Sequence, residues 1–181
     1  MTSRLVPVLF ICLFFASCVS GQKKFIMIED GYLYADMDKF TYKMFFEDFT
    51  VTSDNDFWDV NQNKKGSFFA EDTTRQIKVN VNMGIHPRYP TLQACMDESL
   101  KMDFGFSPQQ LKEIDTKTLG NVTYLEKFYD KYGQKVVNEK VYYAFAFHKG
   151  NYIKIRLSKK DFKDKDKDYL EKILKSIEFI D

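Results

Sequence analysis

The sequence is poor in cysteine and histidine and has no dominant charge. Three cysteines occur among 181 residues. Cys12 lies inside an apolar leader, Cys18 stands at its end, and Cys95 is alone in the rest, so the folded part has no disulfide framework. Cys95 shares helical spacing with Leu92, Met96, Ser99 and Leu100, which marks it as a small buried hydrophobe; a reactive thiolate would need a base and exposure. The two histidines, His86 and His148, belong to no HExxH or similar spacing, and the chain carries neither GxSxG nor a glycine-rich phosphate loop. Lysine and arginine total 27 against 26 aspartates and glutamates, a net charge of +1 with both signs interspersed. Such a surface sets up no global field to draw in nucleic acid, which is not expected as a partner.

What is present begins with the leader. Arg4 precedes an apolar run from Leu5 to Phe15 that is too short to span a bilayer as a permanent helix. Phe15-Ala16-Ser17-Cys18 resembles the bacterial lipobox, in which an apolar and two small residues precede a cysteine that becomes lipidated. That reading makes residues 1–21 a signal peptide with a short tether, lipidation at Cys18, and residues 22–181 a single α+β domain. Two alternatives stay open: cleavage between Gly21 and Gln22, releasing a secreted or periplasmic protein, and a retained signal anchor.

At 44% hydrophobic and 17% aromatic residues, the remainder can bury a sizeable core. Glu139 to Ser158 reads as two strands around Gly150-Asn151, the feature that organises the chain. A two-residue loop there sets Phe147 opposite Lys154, Phe145 opposite Arg156 and Tyr143 opposite Ser158. Ala144, Ala146 and His148 then share the other face with Ile153, Ile155 and Leu157, a surface suited to a close-lying helix. Earlier, two short strands flank Asp30-Gly31, and Thr41–Phe46 and Phe49–Thr52 read as strands. A polar loop from Ser53 to Gly66 follows, with Phe57 and Trp58 plugging one end of the core. Ile77, Val79, Val81 and Met83 alternate with polar residues as in a half-buried strand. Thr91 caps a helix to about Asp103, and Ser107-Pro108 opens a short one. A meander runs from Glu113 to Ser158. Ser158 and Asp161 frame the start of a last helix over Lys159–Lys175, with Phe162, Tyr169, Leu170, Ile173 and Leu174 on one face, before a short closing strand. The expected fold is α+β, an antiparallel sheet of about six strands with helices packed on it.

Asp164, Asp166 and Asp168 imitate the opening of an EF-hand loop, but Tyr169 stands where glycine is needed and Lys175 where the bidentate glutamate is needed, so no metal site is expected. Asn121-Val122-Thr123 is a glycosylation sequon at a turn. The most suggestive constellation is the aromatic and basic face of Tyr143, Phe145, Phe147, Lys154 and Arg156 with Tyr152 at its rim, which would stack an aromatic or anionic ligand if open. The alternative is that other parts of the chain cover these rings.

The order of elements, the YAFAFHKGNYIKIRLS hairpin and the Leu170–Phe179 run resemble the Mog1/PsbP-like domains, including small bacterial lipoproteins. The resemblance implies an antiparallel sheet with packed helices, no cofactor and a binding or assembly role; no functional residue carries over. The Pro-x-x-Trp start of such domains is missing, with Phe57-Trp58 standing nearest. The expectation is a non-enzymatic, exported, membrane-anchored envelope lipoprotein that acts through a protein partner. The alternatives are a secreted or periplasmic ligand binder using the aromatic and basic face, and a hydrolase whose site no motif reveals, for which a cleft placing His86 or His148 beside a serine or carboxylate would be the sign.

Overall fold

A computed structural model describes residues 25–58, 62–86, 88–102 and 104–181, without the side chains of Phe57, Trp58 and Tyr132. The leader with Cys18, and the plugging role expected of Phe57 and Trp58, lie outside what is described.

Four short strands form one sheet. Strand β1 (Ile26–Glu29) turns through Asp30 and Gly31, both at positive φ, into β2 (Tyr32–Asp36), as a tight hairpin with right-handed strand twist requires. Strand β3 (Thr41–Phe45) pairs with β2, and the closing strand β11 (Glu178–Ile180) pairs with β3, giving the order β1-β2-β3-β11.

The larger sheet has seven strands. Strands β4 (Thr50–Trp58), β5 (Lys64–Asp72) and β6 (Ile77–Gly84) form one half. The other half is the meander of β7 (Lys117–Leu119), β8 (Val122–Tyr132), β9 (Lys135–His148) and β10 (Asn151–Lys160). Pairing of β6 with β10 joins the halves in the order β4-β5-β6-β10-β9-β8-β7. Every pairing in both sheets is antiparallel. Three helices pack against these sheets: α1 (Leu92–Met102), α2 (Pro108–Lys112) and α3 (Lys167–Lys175). The α+β class with antiparallel pairing is as expected, but the described residues form eleven strands in two sheets where about six in one were expected.

The main core lies between the sheets. Alternation along β6, β9 and β10 turns Val79, Val81, Ala144, Ala146, Ile153, Ile155 and Leu157 to one side. There they meet Leu33, Ala35, Tyr42 and Met44 of the small sheet, with Leu170, Ile173 and Leu174 of α3 alongside. The alanine-rich face is therefore covered chiefly by a second sheet rather than by a helix. Phe25 locks the two layers together: a Cβ on Gly66 of β5 would stand 2.1 Å from its ring, so only glycine lets the ring lie against that strand. Ser176 ties α3 to the small sheet, its Oγ accepting from the Phe45 N–H at 2.7 Å and donating to the Ile173 carbonyl at 2.6 Å.

Three local expectations are corrected. The stretch from Ser53 to Gly66 is mostly strand: β4 runs to Trp58 and pairs with β5, and its polar sequence reflects an edge strand exposed on both faces from Thr52 to Asp56. The last helix does not begin at Lys159. Strand β10 continues to Lys160 because Lys159 finds a partner in Ile77 and Lys160 in Glu139, and that ladder outcompetes the local capping signal. The organising hairpin turns at Lys149-Gly150, both at positive φ, so the register differs by two: Tyr152 faces Phe147, Lys154 faces Phe145 and Arg156 faces Tyr143. A shift of two leaves every side chain on its expected face.

Candidate functional site

The proposed aromatic and basic platform is divided by α1. Thr91 caps this helix, its Oγ1 accepting from the Ala94 N–H at 3.2 Å. The buried side of α1, with Cys95, Met96 and Leu100, lies on Leu125, Val141, Tyr143 and Phe145. Phe104 and Phe106, from the segment after α1, complete the cover, their rings 4.3 and 5.6 Å from that of Tyr143. Phe145 is 0% and Tyr143 3% exposed, so these two residues form core and are not open to a ligand. The Tyr143 hydroxyl is satisfied by that of Tyr129 at 2.7 Å.

The other half stays partly open. Phe147, Tyr152, Lys154 and Arg156 are half-buried. Lys154 Nζ stands 5.5 and 5.3 Å from the ring centroids of Tyr89 and Tyr152, and His86 stacks on Tyr89 at 4.6 Å. Arg156 is engaged within the sheet by Ser158 Oγ at 3.2 Å and the buried carboxylate of Glu139 at 3.5 Å. Burial first, and then the cations Lys65, Arg88 and Lys154, hold the His86 pKa below its ordinary value.

His148 lies away from this patch. Its ring sits between Phe40 and Phe179, and its Nε2 is 2.9 Å from Asp181 Oδ1. A serine hydrolase needs a hydroxyl on the imidazole as well as a carboxylate. Among the hydrogen bonds of the described residues, neither histidine ring meets a hydroxyl or thiol. No cluster of three or more His, Cys, Asp or Glu suited to a metal ion occurs among the described residues. Asp164–Asp166 forms a 3-10 turn in which Asp166 accepts from the Lys163 N–H at 2.8 Å. The sequon asparagine is likewise engaged, Asn121 Nδ2 donating to the Ile177 carbonyl at 2.9 Å.

A different feature was not foreseen. Strand β1 ends the small sheet and β4 ends the large one, and an open groove of about 1080 Å³ is lined by both. Phe25, Ile26, Met27 and Ile28 supply apolar surface; Val51 and Asp54 to Asp56 line it from β4. Met27 and Ile28 are about half exposed, at 54% and 51%. Asp36 and Asp56 converge on one cation, Lys64 Nζ being 3.9 Å from each. The one sequence signal was the poor alternation of Phe25–Glu29, apolar on both faces, and that does not say which strand edge remains open.

No protein family and no curated protein matches this chain. Among solved structures it is similar to a Bacteroides thetaiotaomicron protein with a crystal structure at 1.50 Å resolution. Identity is 10% and the TM-score 0.46, over 76% of this chain and 44% of that one. The chain thus spans less than half the length of that protein. Among the described residues no helix is long and apolar enough to cross a membrane.

Proposed function

We propose that this chain is an exported, non-enzymatic binding or assembly protein of the bacterial cell envelope, held to a membrane by lipid on Cys18. The observation that carries the binding role is the groove between β1 and β4, which joins apolar surface, acidic side chains and two strand edges. Cys18 precedes the groove-lining Phe25 by seven residues, and a lipid at that distance would hold a bound partner near the bilayer. Affiliation with the Mog1/PsbP-like domains belongs to the same proposal, supported by the Leu170–Phe179 run and the Glu139–Ser158 hairpin.

Intact mass of the mature chain tests the anchor: a diacyl or triacyl mass beginning at Cys18 is expected, and a chain beginning at Gln22 would refute it. Cys18→Ala should move the protein from the detergent to the aqueous phase.

A further inference from the structure

We infer that the groove between β1 and β4 takes an extended, lysine- or arginine-bearing peptide segment of a partner protein, which adds to β1 as a further strand. This rests on the binding role proposed above and names the chemistry of the partner.

The backbone of β1 carries the first step. The Asp36 N–H donates to the Phe25 carbonyl at 3.0 Å, and the register pairs Ile26 with Ala35 and Met27 with Tyr34. In an antiparallel ladder, hydrogen-bonded and non-bonded pairs alternate. Phe25, Met27 and Glu29 therefore use their main-chain groups on β2, whereas Ile26 and Ile28 direct N–H and C=O outward from the sheet. Strand order leaves β1 with β2 as its neighbour on one side and the groove on the other. Such an edge is a template for a chain in strand conformation.

Charge selects the sequence of that chain. Asp36, Asp54 and Asp56 line the groove, and Lys64 Nζ lies 3.9 Å from Asp36 and from Asp56. The Asp54 and Asp56 carboxylates on β4, of which Lys64 meets Asp56, favour a cationic segment and disfavour an acidic one. Met27 and Ile28 offer apolar contact to the alternate side chains.

The test uses the full chain in detergent and three synthetic peptides: alternating lysine and valine, alternating glutamate and valine, and the lysine–valine peptide N-methylated along one edge. The lysine–valine peptide should shift the amide signals of Ile26, Ile28 and residues 51–56. It should bind about tenfold or more tightly than the glutamate–valine peptide and weaken as salt rises. N-methylation should abolish binding, because it removes the main-chain donors that pair with β1. Ile28→Pro should do the same, since it removes an outward N–H and leaves the ladder to β2 in place. Where that variant loses its fold, the N-methylated peptide still decides. Asp54→Asn combined with Asp56→Asn should cost the lysine–valine peptide about tenfold.

Equal binding of the N-methylated peptide, or amide shifts confined to other surfaces, would overturn strand addition. A dimer in sedimentation that Ile28→Pro dissolves would assign the groove to a second copy and overturn the inference as well. The two proposals fail separately. A lipidated Cys18 with partner cross-links only outside the groove removes this inference alone. Peptide binding by a chain found unprocessed in the cytosol removes the envelope role alone.

Discussion

Tyr142 and Tyr143 are neighbours in β9 and point to opposite faces of the large sheet. Tyr142 belongs to the core between the sheets, is 0% exposed, and its hydroxyl has no hydrogen-bond partner among the described residues. Tyr143 lies under α1 and Phe104, and its hydroxyl is paired with that of Tyr129. The inner face is closed by one continuous layer, the small sheet with α3. The outer face is closed over β8 and β9 by α1 and its trailing aromatics, and remains half-buried at Tyr152, Lys154 and Arg156. One alternating strand thus feeds two cores, and whether a ring becomes core or surface depends on which other segment arrives above it.

The largest expected effect tests the closed part of the outer face. Phe145→Ala should destabilise the protein by about 3–5 kcal/mol in urea unfolding, as a fully buried ring does. A loss well under that range would mean that α1 does not seal this half. Next comes the far end of the inner layer. The Asp72 carboxylate is 1% exposed and is held by Arg75 through both the backbone N–H and the guanidinium, at 2.8 Å each. Arg75 also reaches Asp48 at 2.8 Å and lies over the Tyr169 ring at 4.6 Å. Arg75→Ala should cost about 1–3 kcal/mol, at the modest end for a buried charge because the arginine itself is partly solvated and the backbone donor survives.

The tyrosine pair gives the sharpest version of the comparison, because the two changes should differ in sign. Tyr143→Phe breaks a hydroxyl pair and should cost about 0.5–1.5 kcal/mol, whereas Tyr142→Phe removes a buried group without a partner and should be neutral or stabilising by up to about 1 kcal/mol. Equal losses from both would show that Tyr142 has a bound partner, such as water.

The smallest effect concerns the open margin. The folded pKa of His86 is lowered by burial and by Lys65, Arg88 and Lys154. As the pH falls below about 6.5, the unfolded chain takes up the proton first and stability declines, until the folded ring titrates too. Thermal unfolding as a function of pH should show this slope, and His86→Gln should flatten it. A slope that persists unchanged would place its origin elsewhere.

Local patterns were legible where one face is buried and the turn chemistry is strong. Ile77, Val79, Val81 and Met83 are buried as their alternation indicates. Ser107 caps α2 in a reciprocal capping box with Gln110. The signals that misled were those that compete with distant partners. Ser158 and Asp161 look like a helix start, yet β6 and β9 hold that segment as strand. Ser53–Gly66 looks like a loop, yet β5 supplies a ladder for β4. The aromatic and basic face was placed on the correct side of the hairpin, but its two central rings proved to be floor beneath α1. The groove was illegible because the order of strands in a sheet, and hence which edge stays unpaired, is not encoded in any one strand.

Periodicity, turn residues and caps, all readable along the chain, determined the antiparallel hairpins, the buried positions of β6, β9 and β10, and the starts of α1 and α2. Their physical basis is local: two-residue alternation, φ preference and the unsatisfied donors at a helix start act within a few residues. Tertiary structure alone decided that the strands divide into two sheets, that α1 covers Tyr143 and Phe145, and that β1 and β4 face a shared groove. Those outcomes depend on surfaces brought together from far apart in the sequence, and burial belongs to the pair of surfaces rather than to either one.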